Sequence, residues 1–172
     1  ALDVFASPCG TALTRSPRES NYVCVSPSDN TNKGGSVVAA TMVDGVEMVG
    51  LGIPFEEWTL GRRIRTVGRT VTEAEITNFV CITGMLEVLF TNIDYLEKES
   101  LIKGRLAPGA LVLSFAEGLL MQSVMQHTGL AFLGMEMKVV KPTFAGDTIH
   151  VQCEVTEARP TSKPGRGIVT TQ

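Results

Sequence analysis

Apolar positions change their spacing along the chain, and each change marks a different kind of structural element. Residues 108–127 are apolar on almost every side, with a proline at the start and Gly129 just past the end. Proline suits the first helical position, and glycine suits the left-handed residue beyond the last. The pattern predicts a buried helix of about five turns. The run is too short, and too polar at Glu117, to span a membrane.

Beyond this helix the apolar spacing falls to two residues, which is typical of strands. Apolar and polar side chains alternate over 133–140 and, most clearly, over 148–157, and a further strand begins at 168–172. Such alternation indicates an antiparallel sheet with one buried face. The segment after the helix therefore predicts consecutive antiparallel strands.

The segment before the helix predicts a strand and then a capped helix. Residues 62–71 have the pattern of a strand. Thr72 and Glu75 have capping-box spacing, and Gly84 suits the residue that ends a helix. Residues 85–104 are irregular, with a short helix expected near 94–100. Together with the later strands, this order predicts an α+β fold in which a curved antiparallel sheet wraps one long buried helix.

The N-terminal third has little periodicity. Residues 1–35 are rich in Ser, Pro, Asn and Thr, which favours a loosely structured leader. Asp44-Gly45 lies between two apolar runs, so 36–49 predicts a β-hairpin. A lone hairpin is marginal in water, so we expect it to dock on a sheet. We divide the chain into an N-terminal extension, 1–50, and a main domain, 51–172.

Composition excludes several classes of protein. The 172 residues are 44% hydrophobic, enough for one core, and a net charge of -3 argues against nucleic-acid binding. Cys9, Cys24, Cys81 and Cys153 show no CxxC spacing and no signal peptide is visible, so we expect free thiols in the cytoplasm. The chain has only two histidines, and we expect no metal site.

A series of short motifs follows in a fixed order from about residue 53 to residue 172. They are Phe55-Glu56-Glu57, Leu60-Gly61, Gly68-Arg69-Thr70-Val71-Thr72-Glu73-Ala74-Glu75-Ile76, Arg105-Leu106-Ala107-Pro108-Gly109, Val140-Lys141-Pro142, Gly146-Asp147-Thr148 and Gly165-Arg166-Gly167-Ile168-Val169. In order and spacing the set resembles the MaoC-like dehydratases. That family includes the (R)-specific enoyl-CoA hydratases, of hot-dog fold.

The resemblance implies a fold, a partner and a reaction. It implies a hot-dog sheet around the helix, and a homodimer or higher homo-oligomer in which the sheets of two copies join edge to edge. A tunnel at the dimer interface would take the acyl-pantetheine arm of a CoA thioester, with no further cofactor. Water would add to an enoyl thioester or leave a 3-hydroxyacyl thioester, as in fatty acid metabolism. The family's last strand, after 168–172, is not found in this sequence. Either the sheet lacks that strand or, as we hypothesise, the hairpin at 36–49 fills its place.

The chain departs from the family at the loop that carries the catalytic pair. The family's loop runs Gly-Asp-x-Asn-Pro-x-His, and the resemblance places Gly84 at its first position. Met85 then replaces the Asp and Phe90 replaces the His, and neither side chain transfers protons. Pro108 replaces a His at the start of the long helix. Gly109 still matches the backbone donor that would polarise the thioester carbonyl.

Two glutamates are the remaining candidates for acid/base chemistry. Glu87 is either a displaced base or a solvated loop carboxylate. Glu117, which shares a helix face with Ser114, is either a pocket acid/base or substrate contact, or a group paired with an Arg or the backbone. Arg105 is expected to pair with one of these glutamates or to meet a ligand anion. The flexible-loop residues Lys163 and Arg166 are candidates for binding the CoA phosphates.

Three functions remain open from the sequence. The chain is an enoyl-CoA hydratase/dehydratase that uses Glu87 or Glu117, a catalytically impaired hot-dog protein that binds acyl thioesters or serves as a structural subunit, or a hot-dog thioesterase. Gly84, Met85, Phe90, Arg105, Pro108, Gly109 and Ser114 are the expected substrate contacts. Placing the two glutamates relative to Gly109 separates these alternatives.

Overall fold

The computed structural model describes residues 3–6, 20–25 and 41–172, and these form an α+β fold in which an antiparallel sheet curves around one long helix. The main sheet contains β1 (Asp3–Ala6), β2 (Ser20–Val25), β5 (Arg63–Arg65), β6 (Arg69–Thr70), β7 (Gly129–Met135), β8 (Thr148–Pro160) and β9 (Arg166–Thr171). A separate hairpin contains β3 (Met42–Val43) and β4 (Val46–Glu47). The helices are α1 (Glu73–Thr83), α2 (Val88–Thr91), α3 (Ile93–Lys98) and α4 (Gly109–Leu120).

The longest strand, β8, organises the sheet because both of its edges are paired. Gln152 is the register partner of Arg65 in β5 and of Asp3 in β1, so these two strands lie on opposite edges of β8. Glu154 exchanges backbone hydrogen bonds of 2.8 Å with Gln172, so β9 runs along the same edge as β1. The sheet then continues from β9 through β2 to β7.

The expectation that residues 1–35 form a loosely structured leader is wrong for two segments. Residues 3–6 pair with β8, and residues 20–25 lie between β9 and β7. The side chains of Tyr22 and Cys24 are buried in the core. A polar composition hid these strands, because each is stabilised by pairing with strands far away in sequence.

The hairpin has its turn where the sequence predicts it. Asp44 and Gly45 both have positive φ, 52° and 81°, as a type I′ turn requires. However, among the described residues β3 and β4 pair only with each other. The hypothesis that 36–49 fills the vacant place beside β9 is therefore wrong. That place is taken by β2, whose six residues pair along β9, whereas the hairpin strands have only two residues each.

The long helix ends differently from the prediction. Pro108 is the N-cap residue (φ -55°, ψ 136°), one position before the helix begins. A π-helical turn, Met121–Met125, follows α4, and the left-handed residue after it is His127 (φ 61°). Gly129 begins β7 instead. A Cβ atom there would lie 3.1 Å from the Met125 Cβ, so close packing favours glycine at this position.

The core lies between α4 and the concave face of the sheet. Its buried members include Ile76 and Val80 of α1, Leu111, Ala116, Leu119 and Leu120 of α4, and Ile149, Val151, Cys153 and Val155 of β8. The clean alternation in 148–157 is thus confirmed, with the apolar positions inside. The capping box that starts α1 and the left-handed Gly84 that ends it are also confirmed.

Strand bounds differ from the prediction where the sheet bends or ends. The predicted strand 62–71 consists of two strands with a break at 66–68. At this break the Thr66 hydroxyl takes the place of a backbone carbonyl and accepts a hydrogen bond from the Val151 N–H at 3.0 Å. The first strand after the long helix covers 129–135 and not 133–140. No helix in the described part of the chain has the length and apolar character needed to cross a membrane.

Candidate functional site

The N-terminus of α4 offers two unused hydrogen-bond donors. Pro108 has no side chain that caps the helix, and its carbonyl accepts from Leu111 and Val112. The N–H groups of Gly109 and Ala110 come before the first intrahelical bond, and no described residue accepts from them. Gly109 is half-buried. The start of α4 therefore presents two free amides and the positive end of the helix dipole.

The segment that precedes β8 frames these amides. Ala107 donates to the Thr143 carbonyl at 2.8 Å, and Leu106 forms a bridge with Phe144. A side chain added at Gly109 would meet the Val139 methyl group at 3.4 Å. Val139, which is itself exposed, therefore lies beside Gly109 at the start of α4.

The loop at residues 84–90 is held by helix ends. Gly84 has φ 70° and caps α1, and the Met85 N–H donates to the Val80 carbonyl at 3.1 Å. Met85 is half-buried, and Phe90 packs against the core. Both residues therefore supply apolar surface, and neither supplies an ionisable group.

Glu87 lies on the surface and caps a helix. Its Oε2 accepts a hydrogen bond from the Leu89 N–H at 2.6 Å, and Glu87 is the N-cap residue of α2. Within 84–90 it is the one ionisable residue. In this structure one carboxylate oxygen is therefore occupied by the backbone of its own helix.

Arg105 does not pair with Glu87 or Glu117, contrary to the two pairings expected. Its Nε donates to Glu73 Oε1 at 2.6 Å, its Nη2 to the Thr77 hydroxyl at 3.3 Å, and its Nη1 to the Phe90 carbonyl. The guanidinium thus joins α1, α2 and the segment leading into α4. Glu73 was missed as its partner because the two residues are 32 positions apart.

Glu117 lies towards the other end of α4. It lies eight positions after Gly109, which is about 12 Å along the helix axis. Glu117 is half-buried. The pKa of the Tyr22 phenol is raised, mainly because the phenol is buried and also because the negative charge of Glu117 is nearby. The Tyr22 hydroxyl is buried and makes no hydrogen bond within the described structure. No sequence signal pointed to Tyr22.

Ser114 and the two basic loop residues are not brought together with Gly109. The Ser114 hydroxyl donates to the Ala110 carbonyl at 2.9 Å, so it bonds back onto its own helix. Lys163 and Arg166 are exposed at the far end of β8. That end is about 40 Å along the strand from Thr148, near which α4 begins.

A surface cavity of about 190 Å³ lies beside Arg105, between α1 and α3. Its lining residues are Glu73, Ile93, Leu96, Glu97, Gly104 and Arg105. No group of three or more His, Cys, Asp or Glu side chains in the described part of the chain is arranged to hold a metal ion. The arrangement around α4 is suited to polarising a carbonyl oxygen with backbone amides.

Comparison with known proteins identifies the family of this chain. A sequence model of the family described as "MaoC like domain" matches residues 56–172. The chain is 34% identical over 100 residues to Protein MaoC of Klebsiella aerogenes, an alignment that covers 57% of this chain and 29% of the relative. The chain thus spans less than a third of the length of that relative.

Solved structures share the fold. A monoamine oxidase regulatory protein from Archaeoglobus fulgidus superimposes with a TM-score of 0.57 at 26% identity, covering 72% of this chain and 95% of that one. An R-hydratase from Pseudomonas aeruginosa, unliganded, superimposes with a TM-score of 0.57 at 19% identity, covering 70% and 84%. The predicted hot-dog architecture, with its long central helix on an antiparallel sheet, is confirmed.

Proposed function

We propose that this chain, which belongs to the MaoC-like domain family, binds the carbonyl of an acyl-CoA thioester at the N-terminus of α4 and is of hydratase/dehydratase type. The observation that carries the proposal is the pair of free amides at Gly109 and Ala110. A developing enolate oxygen needs such preorganised donors. The name of the R-hydratase that shares the fold supports the reaction class.

In the proposed reaction, water adds across the double bond of an enoyl thioester. The water oxygen bonds to the β-carbon as the carbon–carbon π bond opens, and the proton that the water loses passes to a carboxylate. The Gly109 N–H holds the transient negative charge on the thioester oxygen until the same carboxyl group returns the proton to the α-carbon. We propose that Met85 and Phe90 stand where the family's Asp and His would be. Proton transfer on this loop then falls to Glu87, whose second carboxylate oxygen is available for it.

A second candidate, binding without turnover, is favoured by a specific observation. Glu87 caps α2 and lies on the surface, and Glu117 lies about 12 Å along α4 from Gly109. Neither carboxylate is held against the Gly109 amide in this structure. The two candidates share the thioester site and differ in whether water is added.

Substitution of Gly109 tests the thioester site. Gly109→Pro removes the amide donor, and proline is well suited to the first helical position, so folding is preserved. Gly109→Ala is the matched control, because it keeps the N–H and makes an ordinary contact with Val139. We expect the proline variant to lose about tenfold or more in butyryl-CoA affinity by calorimetry. Equal binding by both variants would exclude this amide as the donor.

Turnover is tested with crotonyl-CoA and acetyl-CoA. A fall in the enoyl absorbance of crotonyl-CoA supports the hydratase. If the absorbance stays constant with the Glu87→Gln variant, the proton transfer is assigned to Glu87. Thiol release from acetyl-CoA supports a thioesterase. Butyryl-CoA binding with neither signal supports the binding role.

We also propose a homodimer joined through β7. One edge of β7 pairs with β2, and its other edge has no partner among the described strands. Leu130, Phe132 and Leu133 are exposed on this strand, Leu130 by 53%. An unprotected apolar edge favours pairing with another strand. Leu130→Lys is expected to shift the mass measured by light scattering from dimer to monomer.

A further inference from the structure

The hairpin formed by β3 and β4 exposes apolar side chains that are not covered by any other described part of the chain. Val43 and Val46 are cross-strand partners on one face of the hairpin and are 48% and 70% exposed. Val49, which follows, is 80% exposed. Two-stranded hairpins are marginal in water, so this one needs a surface to pack on.

The segment that follows the hairpin is anchored beside the start of the edge strand β7. Gly52 and Ile53 donate to the carbonyls of Gln126 and Val124 at 2.7 and 2.8 Å. A Cβ atom on Gly52 would lie 2.4 Å from the Val124 carbonyl oxygen, so the two segments touch. Val46 is six residues before this anchor, at most about 20 Å of chain. The hairpin therefore stays near Gly129, where β7 begins.

Two-fold symmetry determines what faces the hairpin in a dimer joined through β7. A two-fold axis makes the two paired edge strands antiparallel. Any contact between one surface of the first copy and a different surface of the second copy then occurs twice in the dimer. The beginning of β7 in one copy lies beside the end of β7, Met135, in the second copy. The segment that follows, 136–141, is then the surface of the second copy nearest to the hairpin.

That segment is complementary to the hairpin in polarity and charge. Met137, Val139 and Val140 are exposed apolar residues. Lys138 and Lys141 outnumber Glu136, so the segment has a net charge of +1, whereas Asp44 and Glu47 give the hairpin a net charge of -2. None of these five charged groups forms an ion pair within the described part of the chain.

We infer that the hairpin 41–49 of one copy packs on segment 136–141 of a second copy and borders that copy's thioester site. Val139 lies beside Gly109 at the start of α4, so in this arrangement each thioester site is bordered by a hairpin from the other subunit. The inference rests on the proposed function, because it uses the dimer and the thioester site proposed there. The ligand class is the same acyl-CoA thioester.

A designed cross-link tests the contact directly. The double variant Val46→Cys/Val139→Cys, oxidised in the full chain, is expected to give a covalent dimer on a non-reducing gel. Each single variant is the control for background from exposed Cys81. A double variant that stays uncross-linked while the protein is dimeric in sedimentation overturns the inference.

A charge exchange tests the complementarity and separates this inference from the proposed function. Lys138→Glu/Lys141→Glu and Asp44→Lys/Glu47→Lys are each expected to weaken dimerisation about tenfold, and their combination is expected to restore it. Butyryl-CoA affinity should fall and recover in parallel. Unchanged dimerisation in all variants, with butyryl-CoA still bound, overturns the hairpin contact and leaves the proposed function standing. A chain that is monomeric and binds no butyryl-CoA overturns both.

Discussion

The two ends of the long helix are built in opposite ways. At its C-terminal end the carbonyls are satisfied by protein: Val124 accepts from Ile53 and from the Thr128 hydroxyl, and Gln126 accepts from Gly52. At its N-terminal end the Gly109 amide has no acceptor within the described structure, and Pro108 provides no side-chain cap.

This difference indicates which end serves a ligand. Helix ends left without partners lose stability, so folded proteins satisfy them with caps, water or ligands. The C-terminal end contributes to the core and to the anchor of the hairpin. The N-terminal end has donors available for a carbonyl oxygen.

The largest predicted effect comes from breaking the closed C-terminal end. Gly52→Ala would place a Cβ atom 2.4 Å from the Val124 carbonyl oxygen and 2.6 Å from the Thr128 hydroxyl. Backbone must move to relieve this clash, so we expect a loss of about 3 kcal/mol in the free energy of unfolding, measured in urea at fixed protein concentration.

A second glycine in the same region is the control for Gly52→Ala. Gly118 lies inside α4, and a Cβ atom there meets nothing within 4 Å. Gly118→Ala is expected to raise the free energy of unfolding by about 1 kcal/mol, because alanine favours helix. A similar loss in both variants would show that the Gly52 contact is not the cause.

A second prediction weakens the support of the open N-terminal end. Arg105→Gln removes the bonds to Glu73 and to the Phe90 carbonyl, and we expect a loss of about 2 kcal/mol in stability. Butyryl-CoA affinity should also fall, because Arg105 positions the segment that leads to Gly109. Glu73→Gln, the control, leaves the Phe90 bond intact and is expected to have about half the effect. A stability loss with unchanged affinity would separate Arg105 from the site.

Local sequence signals predicted one part of the molecule, and long-range contacts determined the rest. The Thr72 capping box and the alternation over 148–157 depend on neighbouring residues, and both are confirmed. Strands 3–6 and 20–25 depend on partners more than 100 residues away, and the sequence predicted neither. Composition cannot reveal a strand whose pairing lies so far along the chain.

The candidate site divides in the same way. The free Gly109 amide follows from the predicted start of a helix, because every helix leaves its first N–H groups unpaired. The partners of Arg105 and the burial of Tyr22 follow from tertiary packing, and no spacing rule indicates them. The proposed roles of Glu87, Lys163 and Arg166 stay predictions.

A third prediction removes one hydrogen bond from the closed end and leaves its shape intact. Thr128 is fully buried, and its hydroxyl donates to the Val124 carbonyl at 3.2 Å. Thr128→Val should cost about 1 kcal/mol in stability, and Thr128→Ser, which keeps the hydroxyl, should cost less. Butyryl-CoA affinity should be unchanged. A fall in affinity as large as that of Arg105→Gln would remove the functional distinction between the two helix ends.

The smallest effect concerns α1, whose N-terminus carries the cap that α4 lacks. Burial tends to raise the pKa of the Glu75 carboxyl, but hydrogen bonds from the Thr72 N–H and from Arg69 outweigh it, and the pKa is lowered. Arg69 also lies 3.9 Å above the Phe115 ring of α4, so this cap is tied to the long helix. A carboxyl group whose pKa is lower in the folded chain stabilises the fold at pH values above its pKa in the unfolded chain. This stabilisation is lost as the pH falls through the pKa of the folded chain.

From the lowered pKa of Glu75 we therefore predict that the free energy of unfolding decreases as the pH falls. Glu75→Gln should cost less than about 1 kcal/mol at pH 7 and should flatten the decline in stability below about pH 4.5. Urea unfolding of both proteins between pH 3 and pH 7 measures the difference. Parallel curves would show that Glu75 has the same pKa in the folded and unfolded chains. Because the Glu75 carboxylate accepts from the Thr72 N–H and the Glu75 N–H donates to the Thr72 hydroxyl, this capping box is complete within α1, and Glu75→Gln is expected to leave butyryl-CoA affinity unchanged.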